Sequence, residues 1–282
     1  MTERAARLRP RGWSSPPIWL WAFCTIVFLY ILIPVIIVGI MSFSAVDYLS
    51  FPPPALSLRW YTEFFQSAKW LAAAWNSVRI AVGTTLLAVA LGLLAALGLA
   101  RSARKGRKVL QVILLIPMMV PPIIAAVAMY LGYARWGLLG TYMGVVLGHV
   151  CMALPFVIIL ISSALADLER NYYDAALTLG ADPVRATWFV VLPLIRPSIL
   201  SGILFAFIIS FDEVIVSIFL VKTETATVPK LMFDSLKFEI NPIISSISTL
   251  LVAITASVLL LVVLNNARAR RLKSDRRTVS ST

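Results

Sequence analysis

"NYYDAALTLGADPVRATWFVVLPLIRPS", residues Asn171–Ser198, lies between two strongly apolar stretches and carries its own helical pattern. Ala175, Ala176 and Leu179 fall on one side of a short helix that starts near Asp167–Tyr173. Gly180 is placed to stop it, because glycine enters the left-handed C-terminal conformation at little cost. Asp182-Pro183 then restarts a helix, with Asp as N-cap and Pro at the first helical position. Val184, Trp188, Val191, Leu192 and Leu194 lead back toward apolar surroundings, and Pro193 and Pro197 bend the re-entry. The tract is therefore a helix–turn–helix knuckle, with Ala175, Ala176 and Ala181 at a small-sided tip. Such a tip fits a groove on another protein, or it caps a bundle.

The rest of the chain says what kind of bundle. Of 282 residues, 60% are hydrophobic and 13% charged, where a soluble domain has about a quarter charged. This composition is that of an integral membrane protein, expected to be all-α. Six segments are long and apolar enough to cross a bilayer: 18–42, 75–100, 109–133, 142–164, 198–220 and 244–265. The first follows a basic start, but its apolar run exceeds a signal-peptide core, so it reads as a retained anchor. The net charge of +12 does not point to nucleic acid, because the basic residues sit in short tracts beside apolar runs. Four alternate segments, namely residues 1–17, 101–108, 165–197 and the C-terminal tail, hold 18 of the 25 Lys and Arg. That asymmetry places both termini and the knuckle in the cytoplasm. The organisation expected is a tail over 1–17, one six-helix domain over 18–266 containing the loop 165–197, and a basic tail over 267–282.

Within the spans, Thr84, Ala88, Gly92, Ala96 and Ala100 make a stripe of small residues suited to close helix contact, either inside the chain or with a second subunit. "IPMMVPPII" places Pro117, Pro121 and Pro122 in the third span, which should kink or break there. In the outer loop 43–74, Tyr61, Phe64, Phe65, Ala68, Leu71, Ala72 and Trp75 recur at helical spacing. They suit a helix in the membrane interface or one packed on the protein's own outer surface. Cys24 and Cys151 have neither metal-ligand nor disulfide spacing and read as small core residues. His149 is the single histidine and reads as an interhelical hydrogen-bond partner. No Gly-Lys dipeptide occurs, so there is no Walker A loop; GxSxG and HExxH are also absent, and nothing supports catalysis or a metal site.

"DAALTLGADPVRATWFVVLP" resembles the cytoplasmic coupling motif of binding-protein-dependent ATP-binding cassette importer permeases. That motif is Glu-Ala-Ala, three residues, Gly, nine residues, Ile, one residue, Leu-Pro. Asp174, Ala175 and Ala176 take the first places, then Gly180, Val190, Leu192 and Pro193, with Asp for Glu and Val for Ile. "LRWYTEFF", "WNSVRIA", "IPMMVPPII", "SFDEVIVSIFL" from Ser210 and "KFEINPIISSISTLL" from Lys237 look like the spermidine/putrescine subgroup.

The resemblance implies a type I importer permease in the bacterial inner membrane. Its partners would be an ATPase dimer, a second homologous permease and an extracytoplasmic solute-binding protein. ATP and Mg would sit on the ATPase, with no cofactor on this chain. Asp174, Ala175, Ala176, Gly180, Ala181, Val190, Leu192 and Pro193 would form the ATPase-coupling surface. The solute would be a polyamine or, as in related permeases, an opine-like, amino-acid-derived or phosphonate compound. Asp212, Glu213, Pro121 and Pro122 are candidates for the substrate path. An ion-coupled secondary transporter would need more intramembrane ionisable groups than Asp212 and Glu213, and would often show internal repeats.

Overall fold

The computed structural model describes residues 17–101, 104–168, 170–238 and 241–257. Residues 1–16 of the tail expected over 1–17, the tail over 267–282, and the sixth span beyond 257 lie outside the described residues. Among those described there is no β-strand, only an isolated bridge between Ser44 and Leu56. The chain divides into two compact units, one built from the residues up to Phe64 with those from Ile240, the other from Phe65–Glu239.

In the first unit, α1 (Ile18–Met41) is apolar throughout and has no buried residue. Cys24 is exposed on it, so the core placement expected for that cysteine fails. At the end of α1, the Ser42 hydroxyl lies 2.7 Å from that of Tyr61, and the Phe43 and Tyr61 rings meet at 5.4 Å. Tyr61 belongs to α2 (Arg59–Gln66). A helix Ile243–Ser257, here α13, shares a small apolar groove with α1 at Pro34, Val38 and Val252.

The second unit is built on α3 (Ala68–Arg101) and α6 (Tyr142–Asp167). The second span thus starts at Ala68 and not at 75. The aromatic run expected as one outer helix is split at Ser67 between α2 and α3. The small-residue stripe packs internally: Thr84, Ala88, Gly92 and Ala96 are buried, while Ala100 is exposed. A Cβ at Gly92 would lie 2.6 Å from Val157 Cγ1, so α3 and α6 approach this closely because glycine is there. Ala88, Ala96, Ala153, Val157, Ile161 and Ala206 form the core of this contact.

Two spans are broken. α4 (Arg104–Met119) and α5 (Pro122–Arg135) meet at 96° across Val120-Pro121. Pro121 and Pro122 supply no amide donors there, while Pro117 stays inside α4. The fifth span is also discontinuous: α10 (Arg196–Phe211) ends at Asp212, and α11 (Ile215–Leu220) resumes after Val214. Asp212 and Glu213, expected deep in a continuous helix, therefore lie in a break. Among the described residues three helices are individually long and apolar enough to cross a membrane, and up to five spans result if α4 with α5, and the segment Pro183–Leu194 with α10, each count as one. The sequence did not point to α12 (Val228–Phe238), an amphipathic helix before α13.

Candidate functional site

The knuckle follows the end of α6. α7 (Arg170–Thr178) ends at Gly180, whose φ is +91°. The Gly180 amide donates to the Leu177 carbonyl at 3.0 Å, and the Ala181 amide to the Ala176 carbonyl at 3.0 Å. These two bonds are the Schellman closure, in which the residue at positive φ satisfies the last carbonyls of a helix. Asp182 then caps α8 (Pro183–Ala186), its carboxylate accepting from the Val184 and Arg185 amides at 2.9 and 2.8 Å. Both turn signals seen in the sequence are thus present in the geometry.

After α8 the helix widens into a π segment, Thr187–Val191, before α9 (Leu192–Leu194). Pro193 has no N–H for the Phe189 carbonyl, and the Leu192 amide bonds five residues back to Thr187. Val190 is half-buried in this segment, as are Leu192 and Pro193 in α9. The chain bends by 72° between the segment Pro183–Leu194 and α10.

The tip differs from the expectation of small side chains. Ala176 is buried, packing the knuckle from within, and Ala181 is half-buried. Ala175 and Asp174 face out, but Leu179 beside them is 88% exposed. Val184, Trp188 and Phe189 are also exposed, so the knuckle presents a substantial apolar surface.

An anchor that the sequence did not reveal holds the knuckle to the bundle. Arg101, the last residue of α3, donates through Nη2 to Thr187 Oγ1 at 2.6 Å and to the Pro183 carbonyl at 3.4 Å. The Thr187 hydroxyl in turn donates to Pro183 at 2.8 Å. Leu97, Ala100, Tyr173 and Val191 line a cavity of about 320 Å³ beside this bond. Arg101 reads in sequence only as the first cation of a basic loop, and nothing there points to Thr187.

The other candidate residues do not join the knuckle. Glu213 Oε1 accepts from the Val216 amide at 3.0 Å, so this carboxylate caps α11. Asp212 is exposed and has no side-chain partner among the described residues. His149 is fully buried and clasps the same break, with Nδ1 2.9 Å from Ser210 Oγ and Nε2 3.1 Å from Ser217 Oγ. The hydrogen-bonding role expected of it is therefore observed. Pro121 and Pro122 sit at the α4–α5 break, and α5 packs on α11 through Ala126, Val216 and Leu220. The far end of α3 holds a further clamp. Asn76 donates to the Glu224 and Ala226 carbonyls at 2.9 and 3.1 Å and accepts from the Tyr142 hydroxyl at 2.7 Å. Ser77 accepts from the Val228 amide at 2.9 Å.

This fold is shared with a bacterial ABC transporter involved in the import of the acidic polysaccharide alginate. A chain of that structure aligns with a TM-score of 0.67 at 18% identity, covering 88% of this chain and 97% of that one. Over residues 88–274 the sequence matches the binding-protein-dependent transport system inner membrane components, and the chain belongs to that family. It is thus a permease subunit of an inner-membrane transport system. It is 32% identical to the spermidine/putrescine transport system permease protein PotC of Haemophilus influenzae over 85% of this chain and 93% of the relative. It is 31% identical to the putrescine transport system permease protein PotI of Escherichia coli over 69% of this chain and 72% of that one.

Proposed function

We propose that the chain is the membrane subunit of an ATP-driven importer for a polyamine or a similar cationic solute. The observation that supports this best is the knuckle: a motif complete in its spacing, capped at Gly180 and Asp182 and hydrogen-bonded through Thr187 to the end of α3. In this reading an ATPase subunit receives Asp174, Ala175, Gly180, Ala181 and the exposed Leu179, while Ala176, Val190, Leu192 and Pro193 keep the knuckle's shape. ATP and Mg would be held by that ATPase dimer. A second homologous permease completes the pathway, and an extracytoplasmic binding protein delivers the solute. The proposed topology has six spans and both termini in the cytoplasm, in keeping with the distribution of Lys and Arg.

The proposed solute is that of the relatives PotC and PotI and gains support from Asp212. An unpaired carboxylate at a break in a membrane helix belongs against protein or water, where it lowers the barrier for a cation. Glu213, occupied as a cap, supports the break. Pro121 and Pro122 play the corresponding part in the third span.

The test is twofold. The tagged chain, purified with its operon partners, should retain a nucleotide-hydrolysing subunit. Cells lacking the chain should lose saturable uptake of labelled putrescine or spermidine, and the gene should restore it. Retention of the ATPase with unchanged polyamine uptake would keep the importer and discard the solute. Absence of any nucleotide-hydrolysing partner would discard both.

A further inference from the structure

Away from the knuckle, α4 and α6 enclose an open groove of about 250 Å³. Its α4 wall is Arg107, Gln111 and Leu115, one stripe at four-residue spacing. Its α6 wall includes Ile158, Ile159, Ser162 and Ser163. Arg107 begins the α4 stripe near the basic loop, and Ser162 and Ser163 stand near the end of α6 that leads to the knuckle. Along its length the groove runs from a cation, through an amide and two hydroxyls, to Leu115, Ile158 and Ile159.

None of its polar side chains is satisfied by another described residue. Arg107, Gln111, Ser162 and Ser163 make no hydrogen bond or ion pair among the described residues, and Ser162 Oγ is buried as well. A buried hydroxyl on a helix normally finds an acceptor, most simply the carbonyl four residues back, as Thr85 does with Ala81 at 2.7 Å. An unpaired group of this kind is costly to the protein. Among the described residues no carboxylate lines the groove, so a cationic solute is disfavoured there and an anion favoured. The exposed side chains of Val112 and Ile116 continue the apolar surface of α4.

We infer that the α4–α6 groove is a binding site for an anionic phospholipid. Its phosphate lies at the Arg107 guanidinium, its glycerol and ester oxygens meet Gln111, Ser162 and Ser163, and an acyl chain follows Leu115, Ile158 and Ile159. The order of groups along the groove is the order of groups along such a lipid. A free anion would use only the Arg107 end, and a zwitterionic lipid would bring a cationic head group for which no described residue of the groove supplies a carboxylate.

The test uses the full-length chain in detergent, with whatever partner subunits co-purify, and reads its Tm as lipid is added. Phosphatidylglycerol should raise the Tm saturably, phosphatidylcholine of the same acyl chains should not, and glycerol phosphate should have no effect. Arg107→Gln should need about ten-fold more phosphatidylglycerol, the effect of losing one charge-assisted hydrogen bond. Lys108→Gln, which removes a neighbouring charge that does not line the groove, should behave as wild type. Gln111→Leu provides a second reading by native mass spectrometry, as loss of co-purified lipid at unchanged subunit composition. An equal response to phosphatidylcholine, or an unaltered response in both Arg107→Gln and Gln111→Leu, overturns the site. A full response to glycerol phosphate alone overturns the lipid in favour of a soluble anion. Cross-linking of a cysteine placed at Ser163 to another protein subunit would give the groove to that subunit.

Discussion

Replacement of Gly180 separates two ways in which the knuckle could depend on it. A Cβ built on Gly180 meets nothing within 4 Å, so the chain itself has room for a side chain. The constraint is conformational: φ is +91°, where a β-branched residue is strained by about 1–2 kcal/mol. Relaxing that strain would break the Gly180–Leu177 and Ala181–Ala176 bonds that close α7. A penalty of 1–2 kcal/mol lowers the ratio of capped to uncapped knuckle by a factor of about 5–30. Gly180→Val should therefore leave the chain in the membrane at normal level, while lowering solute uptake and the amount of ATPase that co-purifies. Gly180→Asn should be milder, because asparagine enters the left-handed region more readily. If Asn and Val were equally damaging, bulk against the partner would be responsible and not backbone strain. Normal uptake together with normal ATPase retention in Gly180→Val would refute the reasoning altogether.

Four further outcomes follow. A cysteine at position 175 should react with a membrane-impermeant thiol reagent only after the membrane is opened, and labelling in intact cells would reverse the proposed topology. Thr187→Val removes both the Arg101 bond and the bond to Pro183. It should reduce uptake more than it reduces ATPase retention, since the docking surface remains, and unchanged uptake would dismiss the anchor. His149→Leu should lower the Tm of the purified chain, at a cost of about 1–3 kcal/mol for the buried hydroxyl it leaves unpaired, with His149→Gln restoring part of the loss. Asp212→Asn should impair transport of a cationic solute at normal assembly, whereas Glu213→Gln should act through stability; unchanged transport in Asp212→Asn would remove that residue from the path.

What the sequence made legible was governed by local rules. The Gly180 stop and the Asp182-Pro183 start are set by backbone conformation and side-chain capping within a few residues, and both are found where the pattern put them. The break at Pro121-Pro122 belongs to the same class, since a missing donor acts on its own helix. The break at Asp212 was missed because its support comes from elsewhere in the chain: His149 on α6 holds Ser210 and Ser217 on either side. Thr187 and Arg101 are 86 residues apart, and Asn76 reaches carbonyls about 150 residues away, so neither pairing has a periodic signature. The inward turn of Ala176 likewise depends on packing, because a four-residue repeat fixes a face of a helix but not what covers it.

Those distant pairings converge on α3. It runs unbroken for 34 residues without a proline, while both of the spans on the α5–α11 side of the bundle are interrupted. From Asn76 to Arg101 it rises about 38 Å, more than the roughly 30 Å hydrocarbon thickness of a bilayer. Its two polar clamps therefore belong near opposite membrane faces. At one end Arg101 grips the knuckle, and at the other Asn76 and Ser77 grip the segment 224–228 that follows α11. Under the proposed coupling, this unbroken helix, close-packed on α6 through Gly92, resists bending and passes a push on the knuckle along α3 as tilt or rotation. The breaks at Val120-Pro121 and Asp212–Val214 are where the neighbouring spans can give. Under the proposed coupling, force enters at Thr187, travels in α3 and emerges at the segment 224–228, and the broken spans open or close in response. Cutting the rod at its outer clamp should then uncouple transport as effectively as cutting it at Arg101. Asn76→Leu is the variant to compare with Thr187→Val: normal uptake in Asn76→Leu, at normal membrane level, would confine the mechanics to the knuckle and leave α3 as scaffold.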